Sequence, residues 1–136
     1  MSEGKQRFDD WMDGMDVLLD EFMHDLPKEV SSKLDYSIES LDVLEAWLLD
    51  KYPTYEALRD DPDVTALDAG TRYFGQVLVK QLGGRWDYNP GGPPQIRDIG
   101  LGDKAPMFIP MYMVSSVTDR RTGRHLRTIA EANMDG

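Results

Sequence analysis

A chain of 136 residues has the length of one ordinary domain, and its 40% apolar content is sufficient for a hydrophobic core. It contains no Cys, which excludes disulfides, thiolate metal ligands and a cysteine nucleophile. The formal net charge of -10 disfavours nucleic acid and anionic membranes as main partners, because both are negatively charged.

The first residues lack a basic stretch followed by an apolar run, and no later segment is apolar for long enough to span a membrane. We therefore expect a single domain over residues 1–136, located in the cytoplasm.

Apolar residues recur at helical spacing between residues 6 and 26, which predicts one amphipathic helix that ends at Pro27. Its polar face is strongly acidic and includes Asp9, Asp10, Asp13, Asp16 and Asp20. An acidic face of this kind attracts basic partners, and it also serves solubility alone.

Two further helices are predicted after a short strand near 30–36. Ser37 is a suitable N-cap for an apolar helical pattern that runs to Tyr52, and a longer helix extends from about Asp61 to Leu82. Gly83 is placed to end that helix in the left-handed conformation. Gly70 and Gly75 lie inside it, and we expect another backbone to approach closely there.

The second half of the chain predicts a small β-sheet, with strands near 85–88, 95–99 and 107–109. Residues 89–94 are rich in Pro and Gly and form a loop or lid. Residues 110–121 fit a helix and a strand, of which we favour the helix, and 124–133 predict a last helix. The fold class is therefore α+β, mainly helical, with a small sheet.

Three short motifs have simpler explanations than the chemistry they suggest. Residues 9–13 spell an aspartate-rich magnesium motif, but it lacks a second acidic motif. Glu21 and His24 have the spacing of di-iron ligands, without a second such pair. Ser115, Ser116, Asp119 and His125 supply the residue types of a nucleophilic triad without its sequence context. We predict no catalytic residue, metal or cofactor.

A basic cluster stands out in this acidic chain. It consists of Arg120, Arg121, Arg124, His125 and Arg127. One hypothesis is that its guanidinium groups bind an anion beside Trp86, Tyr88 and the 89–94 loop. The other, which we favour, is internal pairing with acidic residues such as those of the first helix, or plain solvation.

The sequence TRYFGQVLVKQLGGRW at 71–86 resembles the core of an uncharacterised family of small bacterial proteins, in which an aromatic-Gly helix ends in Leu-Gly-Gly-x-Trp. Residues 34–41 and 119–126 are similar to its flanking parts. Some similar proteins look like immunity factors for bacterial toxins, which implies a protein partner.

The leading expectation is a non-enzymatic protein-binding module of the immunity type, whose acidic face, Asp9 to Asp20, binds a basic partner. The alternative is a small-molecule or enzymatic domain that holds an anion with Arg120, Arg121 and Arg124. A homo-oligomer formed through Met12, Met15 and Met23 is a third possibility.

Overall fold

The structure is a computed structural model that describes residues 3–99 and 108–133. Its elements, in chain order, are α1 (Glu3–Asp13), α2 (Met15–Asp25), α3 (Lys28–Ser31), α4 (Ser40–Lys51), α5 (Tyr55–Arg59), α6 (Thr65–Leu82), β1 (Arg85–Asp87), β2 (Gln95–Arg97), α7 (Pro110–Arg120) and α8 (His125–Ala132). The fold is mainly helical with a small sheet, so the predicted α+β class is confirmed.

The long helix α6 forms the centre of the fold and packs against α7, α2 and α4. Its aromatic pair Tyr73 and Phe74 is fully buried. The helix ends at Gly83, whose φ of 76° is left-handed as predicted. The two internal glycines are buried, but side chains approach them rather than backbone. A Cβ on Gly75 would lie 2.0 Å from the Trp86 ring.

The predicted first helix is two helices, because the chain breaks between α1 and α2 at Gly14. The apolar spacing continues across this glycine, so the periodicity alone did not reveal the break. The buried face of α2 consists of Met15, Leu19 and Phe22, and the helix ends before Pro27 as predicted.

The segment after Pro27 is a short helix, α3, followed by turns, so the strand predicted near 30–36 is wrong. Its backbone N–H groups bond locally, with the N–H of Ser31 donating to the Pro27 carbonyl at 3.0 Å. The Ser37 hydroxyl accepts from the Ser40 N–H at 3.1 Å, but α4 begins at Ser40 with Glu39 as its N-cap residue, so the predicted cap at Ser37 lies two residues too early.

The sheet has two antiparallel strands, with Trp86 opposite Ile96. The third predicted strand is reduced to a single bridge, in which the Ile96 N–H donates to the Phe108 carbonyl at 2.7 Å. Met107 lies outside the described residues. The ambiguous segment 110–121 is helical, as favoured, and forms α7. No helix in the described part of the chain is long and apolar enough to cross a membrane.

Candidate functional site

The predicted acidic residues all lie on α1 and α2, and their surroundings differ. Asp9 forms an ion pair with Lys5 at 2.6 Å, and Asp10 accepts a hydrogen bond from the Gln6 amide at 3.0 Å. Asp13, Asp16 and Asp20 are exposed and form no ion pair with any described residue. The negative charge on this surface is therefore largely uncompensated.

The outward face of α2 also exposes apolar side chains among these acids. Val17 is 59% exposed and Leu18 is 40% exposed. Asp20 and Glu21 follow Val17 by three and four residues, so they lie next to it on the helix surface. We call this surface the α2 face. It combines exposed apolar groups with uncompensated acids and consists of Asp13 at the end of α1 and Asp16, Val17, Leu18, Asp20 and Glu21 on α2.

Leu18 borders a groove between α2, α4 and the start of α6, with a volume of about 230 Å³. Its apolar wall includes Phe22 and Trp47, whose rings meet edge to face at 5.2 Å. Glu21 and Asp25 contribute carboxylates from α2 to the same groove. Lys51 also lines the groove, which therefore has an apolar floor and a rim that is mainly acidic.

The three methionines proposed for self-association contribute to the protein's own core. Met15 is buried, and Met12 and Met23 are half-buried and pack against the buried cluster. Self-association through these side chains stays a prediction.

The arginines of the basic cluster differ in whether they are bonded within the fold. Arg121 donates to the Leu49 and Tyr52 carbonyls at 3.2 and 2.9 Å, so it satisfies the end of α4. Arg127 pairs with Asp42 at 2.9 Å and with Glu131 at 3.2 Å. These carboxylates belong to α4 and α8 and not to the first helix. Arg120 and Arg124 are exposed and form no ion pair with any described residue.

Glu45 holds the start of α8 from inside the fold, and the sequence reasoning missed it. Its carboxylate is fully buried and accepts from the His125 N–H at 3.0 Å and the Leu126 N–H at 2.9 Å. A negative group at a helix N-terminus satisfies free N–H donors and complements the helix dipole. The sequence held one indication of this role, which is a single acidic residue within the apolar series of α4, between the buried Leu44 and Leu48.

The residue types of a nucleophilic triad are not assembled. The Ser115 and Ser116 hydroxyls donate to carbonyls of their own helix, Met111 at 2.8 Å and Tyr112 at 2.9 Å. Burial lowers the pKa of His125, and Arg120 lowers it further while Glu45 opposes both. No cluster of three or more metal-binding side chains is present among the residues described.

A cleft of about 430 Å³ lies between α1 and the loop at 89–94. Its walls are Phe8 and Trp11 from α1 and Tyr88 from the end of β1, with Arg7 contributing a guanidinium group. None of Arg120, Arg121 and Arg124 lines it. The structure thus places Tyr88 and the loop in one cleft, as expected. The arginine in that cleft is Arg7 and not one of the predicted arginines.

Trp11 is fixed in this cleft by a network that reaches into α6. Its indole N–H donates to Asp68 at 2.8 Å, and its carbonyl accepts from Arg72 at 2.7 Å. The Arg72 guanidinium also lies 4.2 Å from the centre of the indole ring. Trp86 does not line the cleft but supports it, packing edge to face against Trp11 at 4.8 Å.

No protein-family model matches the chain, and no curated protein or solved structure has significant similarity to it. The resemblance of residues 71–86 to a bacterial family therefore stays a prediction.

Proposed function

We propose that this chain is a non-enzymatic protein-binding module that docks a basic partner protein on the α2 face, in the manner of a bacterial immunity-type factor. The observation that supports it best is the exposure of Val17 and Leu18, 59% and 40%, among acids that have no ion pair in the described part of the chain. Exposed apolar groups with a polar rim are typical of interaction sites.

The acids give the interface its preference for a basic partner. Asp13, Asp16 and Asp20 face solvent, and with Glu21 they produce a local negative potential. Such a potential accelerates the approach of a positively charged protein and disfavours acidic ones, while the apolar anchors slow dissociation.

An immunity-type role is consistent with the charge of the surface that would be covered. An enzyme that acts on nucleic acid presents a basic substrate-binding surface. A module that covers this surface with carboxylates excludes the substrate without any chemistry of its own. This role rests on the resemblance and on the charge complementarity together.

The alternative function, anion binding by the basic cluster, has weaker support. Arg121 donates to two carbonyls at the end of α4 and Arg127 pairs with two carboxylates, so within the described residues Arg120 and Arg124 are the arginines of this cluster without such a partner. That alternative stays a prediction.

The test is a pull-down from the source cell with three forms of the tagged chain. The first is the natural sequence, the second carries Asp16→Lys and Asp20→Lys, and the third carries Asp50→Lys and Glu56→Lys. Asp50 and Glu56 are exposed on α4 and α5, so the third form has the same net charge as the second.

We expect a basic protein that is retained by the natural chain and the third form and lost from the second. Salt is expected to weaken the retention of this protein by the natural chain, because salt screens interactions between exposed charges. Residual binding to the second form is expected to depend less on salt, because the α2 acids have been reversed. Equal retention by all three forms would exclude the α2 face as the interface. A form with Val17→Ser and Leu18→Ser separates the apolar contribution from the charge.

A further inference from the structure

We infer that the cleft between α1 and the 89–94 loop binds a planar aromatic compound that carries a carboxylate or phosphate. Phe8, Trp11 and Tyr88 supply aromatic walls, and Arg7 supplies the cation. This site is separate from the α2 face, so the inference does not depend on the proposed function.

Charge distinguishes this cleft from its neighbours. Its lining contains the guanidinium of Arg7 and no carboxylate, although the chain has a net charge of -10. The groove beside α2 contains Lys51 but also the carboxylates of Glu21 and Asp25, and a depression between α5 and α7 contains Asp119. A cation-bearing cleft in such a chain favours an anionic ligand over a cationic one.

Arg7 is available for such a ligand. Its nearest carboxylate belongs to Glu3 at 3.8 Å, which is longer than a hydrogen bond, and both side chains are mostly exposed. A ligand carboxylate or phosphate that accepts two parallel N–H bonds from the guanidinium would be bound more strongly than Glu3 is.

The aromatic walls are held in place before any ligand arrives. Trp11 is fixed by its hydrogen bonds with Asp68 and Arg72. On the other side, the Gln95 amide donates to the Tyr88 carbonyl at 2.9 Å, which anchors the end of β1. A preformed site spends little binding free energy on ordering itself.

The loop that closes the cleft is a turn with hydrogen bonds of its own. The Asn89 amide donates to the Pro93 carbonyl at 3.0 Å, and the Gly92 N–H donates to the Asn89 carbonyl at 3.1 Å. Gly91 has a φ of 78°, and a Cβ on Gly92 would lie 2.5 Å from the Asn89 amide nitrogen. The volume of about 430 Å³ is within the range of small-ligand pockets.

Titration by nuclear magnetic resonance with two matched pairs of compounds tests the inference on the full chain. Naphthoate is compared with its neutral amide, naphthamide, and adenosine monophosphate with adenosine. The first pair reports a carboxylate and the second a phosphate. We expect saturable shifts in Phe8, Trp11 and Tyr88, with at least one anion bound about tenfold more tightly than its neutral counterpart.

Two substitutions identify the cation. Arg7→Gln changes an exposed side chain, so the fold is retained, and we expect it to remove the preference for the anion. Arg124→Gln is the matched control, since Arg124 is exposed and does not line the cleft. Phe8→Ala, checked for a native spectrum, is expected to weaken both members of a pair.

The inference is overturned if neither anion saturates at millimolar concentration, or if acid and neutral compound bind equally. It is also overturned if Arg7→Gln leaves the preference for the anion unchanged. Shifts centred on residues 120–127 would overturn it as well, because they would place anion binding in the basic cluster. Because Asp16→Lys with Asp20→Lys leaves the cleft intact, failure here and failure of partner binding are distinguishable.

Discussion

The buried carboxylate of Glu45 provides the sharpest test of the architecture. Glu45→Ala removes the acceptor of two backbone N–H groups, those of His125 at 3.0 Å and Leu126 at 2.9 Å. The N–H of Leu126 belongs to a fully buried residue, so water does not readily replace the lost bond.

The expected cost is set by these two bonds. A hydrogen bond to a charged group contributes about 1.5–3 kcal/mol to stability. The loss of the two bonds together already includes the cost of about 1 kcal/mol for losing a helix cap. Glu45→Ala should therefore lower the free energy of unfolding by about 3–5 kcal/mol. Glu45→Gln keeps the shape and one acceptor oxygen, and should cost about 2 kcal/mol.

Urea denaturation followed by circular dichroism measures these differences, and hydrogen exchange at residues 125 and 126 locates them. Asp50→Ala is the control, because Asp50 is exposed on the same helix, and it should change stability by less than about 0.5 kcal/mol. If Glu45→Ala cost less than about 1 kcal/mol, α8 would not depend on this carboxylate.

Two further predictions concern local packing and pH. Gly75→Ala should destabilise the fold by about 2 kcal/mol despite the higher helix propensity of Ala, because the new Cβ overlaps the Trp86 ring; a thermal melt that is unchanged or raised contradicts this. Burial lowers the pKa of His125 in the folded state. Between this lowered pKa and the ordinary value of about 6.5, the unfolded state therefore binds more protons than the folded state. The folded state consequently loses stability as the pH falls through this window. His125→Gln should flatten the pH dependence of the urea midpoint in that window relative to His24→Gln, and an unchanged slope would contradict the assignment.

Much of the helical architecture was predictable, because local patterns determine it. Apolar spacing located α4 and α6, and Gly83 has the left-handed φ expected of a helix end. The break at Gly14 was not predictable, since the apolar spacing continues on both sides. The strand predicted near 30–36 failed for a related reason, because a mixed segment has no period to distinguish a strand from turns.

The candidate sites depend on contacts between distant segments, which explains what the sequence did not reveal. Tyr88 and the loop were predicted to border a ligand, but the arginine beside them, Arg7, comes from a helix about eighty residues earlier. The role of Arg121 at the end of α4 also depends on packing. Neither partnership leaves a local signal in the sequence.

The acidic residues of the α2 face could be predicted from the sequence, but the apolar side chains exposed among them could not. The sequence placed Asp16 and Asp20 on a polar helix face. The exposure of Val17 and Leu18 beside them required the structure, because Leu18 belongs to the apolar series at helical spacing that predicts the buried side of the helix. That exposure is the reason for proposing the α2 face as the interface.

The most direct test of the account is the affinity of the captured basic partner at low and high salt, measured by calorimetry. The natural chain is compared with Asp16→Lys/Asp20→Lys and with the charge-matched Asp50→Lys/Glu56→Lys. We predict that reversal on α2 weakens binding about tenfold or more at low salt and flattens the salt dependence, while the matched form behaves as the natural chain. Identical affinities and salt slopes for all three would contradict the proposal that the α2 face binds the partner.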